Sequence, residues 1–411
     1  MWKAKLRNLI KIGRLKVIAP DGTAVNLGGQ PYLGRHRPLD VTIRLRGALT
    51  PVKLMIDPHR YLGECYMDGD ITIEQGSLWD LLEIIGYNFE EAGPDITNPL
   101  AAMANGALRR IQQHNDLRRS RQNVAHHYDL SEGLYRLFLD ADMQYSCAYF
   151  RAPDDTLEQA QLAKKTHIAA KLLLEPDMRV LDIGCGWGGM ALFLAQTYGV
   201  RVLGVTLSKE QLAVARSRAR TMGLEERVAF ELIDYRKVEG QFDRVVSVGM
   251  FEHVGAPNFQ QYFDTLRKLL TRDGVALIHS IGRMRGPSRT AGFIRRYIFP
   301  GGYIPALSEV MPSVERSGLW LTDVEVLRLH YAETLKHWRA RFMANLDKLP
   351  PQYDARFRRM WEFYLASSEM SFRFNGFMNF QLQLSRSLHT VPLTRDYMLD
   401  QEQSLAKMAA E

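Results

Sequence analysis

The chain is 411 residues long, enough for two or three domains with a substantial core, and its 46% hydrophobic share is that of an ordinary folded protein. No apolar run reaches the length of a membrane span, the charged first 18 residues lack the apolar segment of a secretory signal, and three cysteines (Cys65, Cys147, Cys185) make no disulfide framework. A membrane-spanning or disulfide-stapled protein is thereby excluded and a reducing, cytoplasmic setting expected, while the net charge of +7 points to nucleic acid or an anionic membrane surface.

The first stretch reads as a basic amphipathic helix. Lys3, Arg7, Lys11 and Arg14 share one face, and Trp2, Leu6, Leu9 and Ile10 lie largely on another. Such a helix suits either an anionic bilayer surface or the protein's own core. From residue 15 to about 86 the pattern is short and strand-like: 41–45 alternates, and 66–73 alternates around an Asp68-Gly69 turn signal. Ser77 is expected to cap a helix over 78–85. Residues 1–93 therefore read as a small α+β domain serving lipid association. A linker and basic helix follow at 94–121, where Arg109, Arg110, Arg118, Arg119 and Arg121 suit either solvent or phospholipid headgroups. No aromatic interleaving favours nucleic acid.

Residues 122–390 carry the catalytic pattern, with 391–411 as a tail. Helices are expected at 157–174, 190–197, 209–222 and 259–270, and strands at 178–183, 201–205, 228–233, 242–248 and 274–279. Ser208 and Gln211 form a capping-box pattern. This alternation specifies a doubly wound parallel sheet, whose ligands bind at the strands' carboxyl ends. The polar residues there are Asp182, Thr206, Asp234, Glu252, His253 and His279, with surface solvation as the competing reading, for His253 especially. Residues 282–303 form a basic and aromatic insertion suited either to an amphiphile or to a packed excursion with exposed arginines, and 333–387 read as helical with an aromatic stripe belonging to the core or to an acyl channel.

The glycine turn after the first of these strands, Gly184-Cys185-Gly186-Trp187-Gly188-Gly189, fits two cofactors. A dinucleotide site wants an acidic residue about 20 residues on. The second strand instead ends in Thr206-Leu207-Ser208. Asp182 before the first glycine resembles the first motif of S-adenosylmethionine (SAM)-dependent methyltransferases, the Rossmann-like class I fold.

Further motifs carry a wider resemblance. They are 127–131 (HYDLS), 143–150 (MQYSCAYF), the glycine turn, 206–211 (TLSKEQ), 247–255 (SVGMFEHVG), 278–282 (IHSIG), 297–302 (YIFPGG) and His330-Tyr331. Over about 124–338 the chain resembles the cyclopropane-fatty-acyl-phospholipid synthases and their relatives, the mycolic acid cyclopropane synthases. The resemblance implies methyl transfer from SAM to the cis double bond of an acyl chain in a membrane phospholipid, and a peripheral membrane enzyme that can be a homodimer. It implies that Tyr145, Ser146, Gly184, Cys185, Gly186, Thr206, Leu207, Ser208, Lys209, Glu210, Gln211, Asp234 and Tyr235 hold SAM. It also implies a bicarbonate ion on Cys147, Glu252, His279, Ile281 (through its backbone) and Tyr331. Tyr145, Tyr149, Tyr303 and Tyr331 are candidates to face the carbocation that alkylation creates. A methyl- or methylene-branched product shares that cation. An NAD-dependent oxidoreductase and a non-catalytic lipid-binding protein are the other classes in play.

Overall fold

A computed structural model describes residues 10–31, 38–91 and 131–408. The segment at 1–9, the linker and arginine-rich stretch at 94–121, and the motif residues 127–130 lie outside the described residues. The chain divides into two units: residues 1–105, 290–299 and 335–377 form one, and 106–289, 300–334 and 378–411 form the other. Parts of the insertion and of the aromatic helical region, read from sequence as belonging with the catalytic pattern, thus group with the amino-terminal segment.

The first unit is built on a four-stranded sheet of β1 (Arg14–Ile18), β2 (Ala24–Gly28), β3 (Asp40–Leu45) and β4 (Ile71–Gln75), in the order β2-β1-β3-β4. Alternation puts Leu15 and Val17 on one face. There they pair in register with Leu27 and Val25 on one side and Val41 and Ile43 on the other. The strand-like alternation expected over 66–73 is corrected: Tyr66 lies in the Pro58–Asp68 helix, and only Ile71 onward is strand. Asp57 caps that helix by accepting the Arg60 N–H at 3.2 Å, and Gly69 at φ +82° ends it. The Asp-Gly pair signalled a left-handed residue, and a helix stop needs one as much as a hairpin does. Ser77 caps the Leu78–Glu91 helix as expected, accepting the Asp80 N–H at 3.1 Å.

The second unit is a seven-stranded sheet: β5 (Arg179–Ile183), β6 (Arg201–Thr206), β7 (Val228–Leu232), β8 (Phe242–Val248), β9 (Leu270–Arg283), β10 (Trp320–Leu327) and β11 (Phe377–Ser385), in the order β10-β11-β9-β8-β5-β6-β7. β5 pairs in parallel with both β6 and β8. The chain therefore winds outward from β5 and returns on its other side, which makes the β5/β8 boundary the topological switch point. Both sheet faces are covered. Val180 packs with Val202, Val246 and Leu277, while Leu181 and Ile183 pack with Val205, Val245 and Ile278. That is why the central strands read as continuous apolar runs.

Two elements depart from the sequence reading. β10 was not expected, and β11 falls inside the stretch expected to be helical. Phe377, Asn379, Gln381 and Gln383 alternate with Met378, Phe380, Leu382 and Leu384 along β11, a period of two that the preceding Ala355–Phe374 helix masked. The tail holds a further helix, Asp396–Met408. The insertion is a five-residue π-helical turn, Ile294–Ile298, and its Phe293 is buried.

Candidate active site

A cavity opens at the switch point, and the turn after β5 forms one wall. Gly184 sits at φ +81°, and a Cβ there would fall 2.8 Å from the Met250 side chain. Gly186, at φ +52°, has nothing within 4 Å of such a Cβ, so its backbone faces open space. Only glycine adopts both positions without strain. On the neighbouring strand end, the Ser208 N–H donates to Thr206 Oγ1 at 3.2 Å and the Thr206 hydroxyl to Gln211 Oε1 at 3.3 Å. Ser208 Oγ in turn accepts the Gln211 N–H at 3.2 Å. The Gln211 side chain serves Thr206 rather than closing the capping box.

Ten of the thirteen residues expected to hold SAM line this cavity: Tyr145, Ser146, Gly184, Cys185, Gly186, Thr206, Leu207, Gln211, Asp234 and Tyr235. Ser208, Lys209 and Glu210 do not. The Ser208 hydroxyl is spent on its helix, Lys209 points to solvent, and Glu210 accepts the Glu132 N–H at 3.0 Å. His253, for which solvation was the competing reading, is half-buried and lines the cavity, and burial pushes its imidazole down to about 4.

Beneath the cavity lies a group that sequence reasoning missed. Lys164, on the Leu157–Leu172 helix, is wholly buried. Its Nζ donates to Gln144 Oε1 at 2.7 Å and to Ser146 Oγ at 2.9 Å, and both of these residues line the cavity. Burial pushes Lys164 down to about 8, with Asp140 and Asp142 opposing the shift. Asp182 is also buried and lines the cavity, and its Oδ2 has no hydrogen-bond partner. Burial raises it to about 7 against the pull of Lys164. A faint signal existed: Lys164 and Lys171, seven apart, share a helix face with Ile168.

The second residue set lies off the cavity's lining, and within it Glu252 and Ile281 are joined by a hydrogen bond. Glu252 stands between Met250 and His253, which do line it. Glu252 Oε1 accepts the Ile281 backbone N–H at 2.6 Å, its buried Oε2 has no hydrogen bond of good geometry, and the nearby Ser280 hydroxyl favours the charged carboxylate. Burial pushes Glu252 up to about 7. The Tyr303 N–H donates to the Glu252 carbonyl at 2.9 Å. His279, on β9, is buried between the Asn379 and Gln381 amides of β11, and burial holds it down to about 3. Burial also keeps the Cys147 thiol protonated. Thr334, one helical turn beyond Tyr331, accepts the Ala148 N–H at 3.0 Å, which ties the Tyr331 helix to the loop that carries Cys147. Tyr149 stacks against both His167 (4.3 Å) and His330 (4.9 Å), so its ring is engaged by imidazoles and not free for a cation.

The residues present fit both expected small molecules. The orphaned Asp182 oxygen and the open Gly186 backbone suit the amino-acid end of SAM. The orphaned Glu252 oxygen suits an ion that can donate a hydrogen bond, whereas the His279 ring nitrogens, expected on that ion, face the Asn379 and Gln381 amides. The Ile281 N–H, expected on that ion, is engaged by Glu252 in this structure.

Residues 115–382 match the family model described as mycolic acid cyclopropane synthetase. The chain is 42% identical over 390 residues to the "Probable fatty acid methyltransferase" of Pseudomonas putida, covering 92% of this chain and 94% of that protein. It is 38% identical over 327 residues to the "Cyclopropane-fatty-acyl-phospholipid synthase" of Escherichia coli K12, covering 80% and 83%. Among solved structures it resembles the mycolic acid cyclopropane synthase CmaA1 bound to SAH and CTAB, with a TM-score of 0.61 and 34% identity over 64% of this chain and 98% of that one.

Proposed function

Because this chain belongs to the mycolic acid cyclopropane synthetase family and is a SAM-dependent methyltransferase, we propose that its acceptor is the cis double bond of an unsaturated acyl chain in a membrane phospholipid and its product a cyclopropane fatty acid. The observation that carries this reading is the buried, unpartnered Glu252 oxygen next to the cofactor cavity. Bound SAM supplies an electrophilic methyl group. An alkene is a weak nucleophile, so the chain's first task is positioning, which can supply roughly 7–11 kcal/mol. Ser146 and Gln144, held by Lys164, and the Gly184–Gly186 backbone would set the donor's place. Alkylation leaves a carbocation on the acyl chain, and Tyr145, Tyr303 and Tyr331 remain as aromatic candidates to face it, each worth about 0.5–2 kcal/mol.

Ring closure requires removal of one proton from the new methyl. Bicarbonate held by Glu252, His279 and Tyr331 would supply the base. Glu252 orients through its free oxygen while the Ile281 N–H holds the other. Cys147, protonated and buried, makes a weak contact and no covalent bond. Exclusion of water keeps the cation from being trapped as an alcohol. Lipid access implies peripheral association with the inner membrane face, in which the first unit takes part. No described helix is long and apolar enough to cross a membrane.

A second reading is favoured by the Pseudomonas putida relative, whose name is that of a fatty acid methyltransferase. It gives a methyl- or methylene-branched chain from the same cation. Incubation with SAM bearing a trideuterated methyl and unsaturated phospholipid vesicles separates the two. A cyclopropane keeps two deuteriums on a ring carbon. Deuterium on a vinyl carbon, or three retained on a branch methyl, would select the second reading, and no labelled fatty acid would reject both.

A further inference from the structure

One face of β11 is polar and buried. Asn379, Gln381 and Gln383 are each about 1% exposed, in a strand flanked by β10 and β9. Burying three amides costs stability unless each is bonded, so an apolar strand would have served packing better. The amides form a line. The Gln383 Nε2 donates to the Lys171 carbonyl at 2.6 Å. Lys171 Nζ donates to Gln381 Oε1 at 2.8 Å. Gln381 Nε2 lies 3.1 Å from His279 Nδ1, and Asn379 Nδ2 lies 3.3 Å from His279 Nε2.

The direction of this line follows from donor arithmetic. Lys171 is wholly buried and paired with Glu325, with Asp323 at 3.8 Å. An ammonium only donates, so Gln381 must turn its oxygen to Lys171 and its NH₂ to the imidazole. Nδ1 is then an acceptor. A neutral ring with Nδ1 accepting carries its proton on Nε2. That N–H faces Asn379, whose Oδ1 is buried and unpartnered as oriented here. Exchanging the amide's two isosteric atoms meets both needs at once.

We propose that Lys171, acting through Gln381, is a positioning device that fixes His279 as the neutral Nε2–H tautomer, its one N–H held toward Asn379 and the ring uncharged. The inference rests on the reading that His279 serves the reaction. An imidazolium there would repel the carbocation, and an Nδ1–H tautomer would point its donor away from Asn379 and toward Gln381. The charges that bear on the ring agree: Lys164, Lys171 and His167 oppose its protonation, and only Glu325 favours it.

The test is the ¹⁵N–¹H imidazole spectrum of the uniformly labelled full chain, with the His279 signals assigned by their loss in His279→Asn. The expected pattern is one proton on Nε2, unchanged between about pH 5 and pH 8. Gln381→Glu places an acceptor against Nδ1 and is expected to move the proton to Nδ1, or to charge the ring. Lys171→Met, if it folds, frees Gln381 to turn and is expected to give a tautomer mixture. An Nδ1–H ring in the wild type, or an unaltered ring in Gln381→Glu, overturns the proposal. Should the spectra come out as expected while His279→Asn keeps full turnover, the positioning device stands and the functional reading of His279 fails.

Discussion

Glu252 and Ile281 are 29 residues apart in sequence, yet the Glu252 carboxylate takes the Ile281 backbone N–H at 2.6 Å. The contact uses one oxygen and leaves the other buried and free. It joins the turn after β8 to β9, two of the four strands on the return side of the switch point. The proposed chemistry rests on that free oxygen.

Replacing Glu252 with Gln keeps the shape and the Ile281 contact but removes the carboxylate. Turnover is expected to fall by about 10²–10⁴-fold, the usual worth of general-base assistance. SAH affinity, measured by calorimetry, is expected to stay nearly unchanged. An affinity loss as large as the rate loss would contradict a role in the proton step.

The same residue predicts a pH effect on stability. Its folded value of about 7 lies above its ordinary 4.5, so between those values the folded state binds more protons than the unfolded one. Its contribution is full below about pH 4.5 and is lost as pH rises through 7. Asp182, raised from 3.8 to about 7, acts in the same sense. His253 and His279, held down to about 4 and 3, act in the opposite sense below about pH 6.5. The clean measurement is therefore the stability of the wild type minus that of Glu252→Gln in denaturant melts. The difference should decline from pH 4.5 to 7, and a flat difference would reject the raised value.

Lys164→Met removes the ammonium that holds Gln144 and Ser146. Breaking one side of a buried polar network costs about 3–5 kcal/mol, and the pocket edge loses its anchor. SAH binding is expected to weaken about tenfold or more. Ser146→Ala, which loses one of the two contacts, should weaken it less. Calorimetric titration of the folded variants reads both effects.

Gly184→Ala and Gly186→Ala separate crowding from backbone strain. Both sit at positive φ, costing a side chain about 1–2 kcal/mol. At Gly184 the added methyl also strikes Met250, and overpacking adds about 1–3 kcal/mol. Thermal melts should therefore rank Gly184→Ala as the less stable of the two.

A lipid-surface role for the first unit predicts an accessible apolar surface. The Thr50–Ile56 helix and the residue before it expose Leu49 (66%), Val52 (52%) and Ile56 (72%). Changing these three to Ser is expected to lower co-sedimentation with vesicles rich in anionic phospholipid, at an unchanged melting temperature. Undiminished co-sedimentation would place the lipid contact elsewhere.

The glycine turn, the carboxylate before it and the alternation of strands with helices are local patterns. Spacing alone yields them, so the doubly wound sheet and the place of its ligand were legible from sequence. Glu252 and His279 stood out as polar residues at strand ends and the resemblance added Tyr331, but neither gave their hydrogen bonds. Tertiary structure alone decided which Glu252 oxygen is free, that Lys164 and Lys171 are buried, and that β11 lays three amides against a histidine. Those contacts join residues 100 and 210 positions apart, His279 to Asn379 and Lys171 to Gln381, and no local periodicity reports them. A buried lysine and a solvated one look alike in a sequence. Only the packing around them sets whether water or a neighbouring amide takes the proton's hydrogen bond.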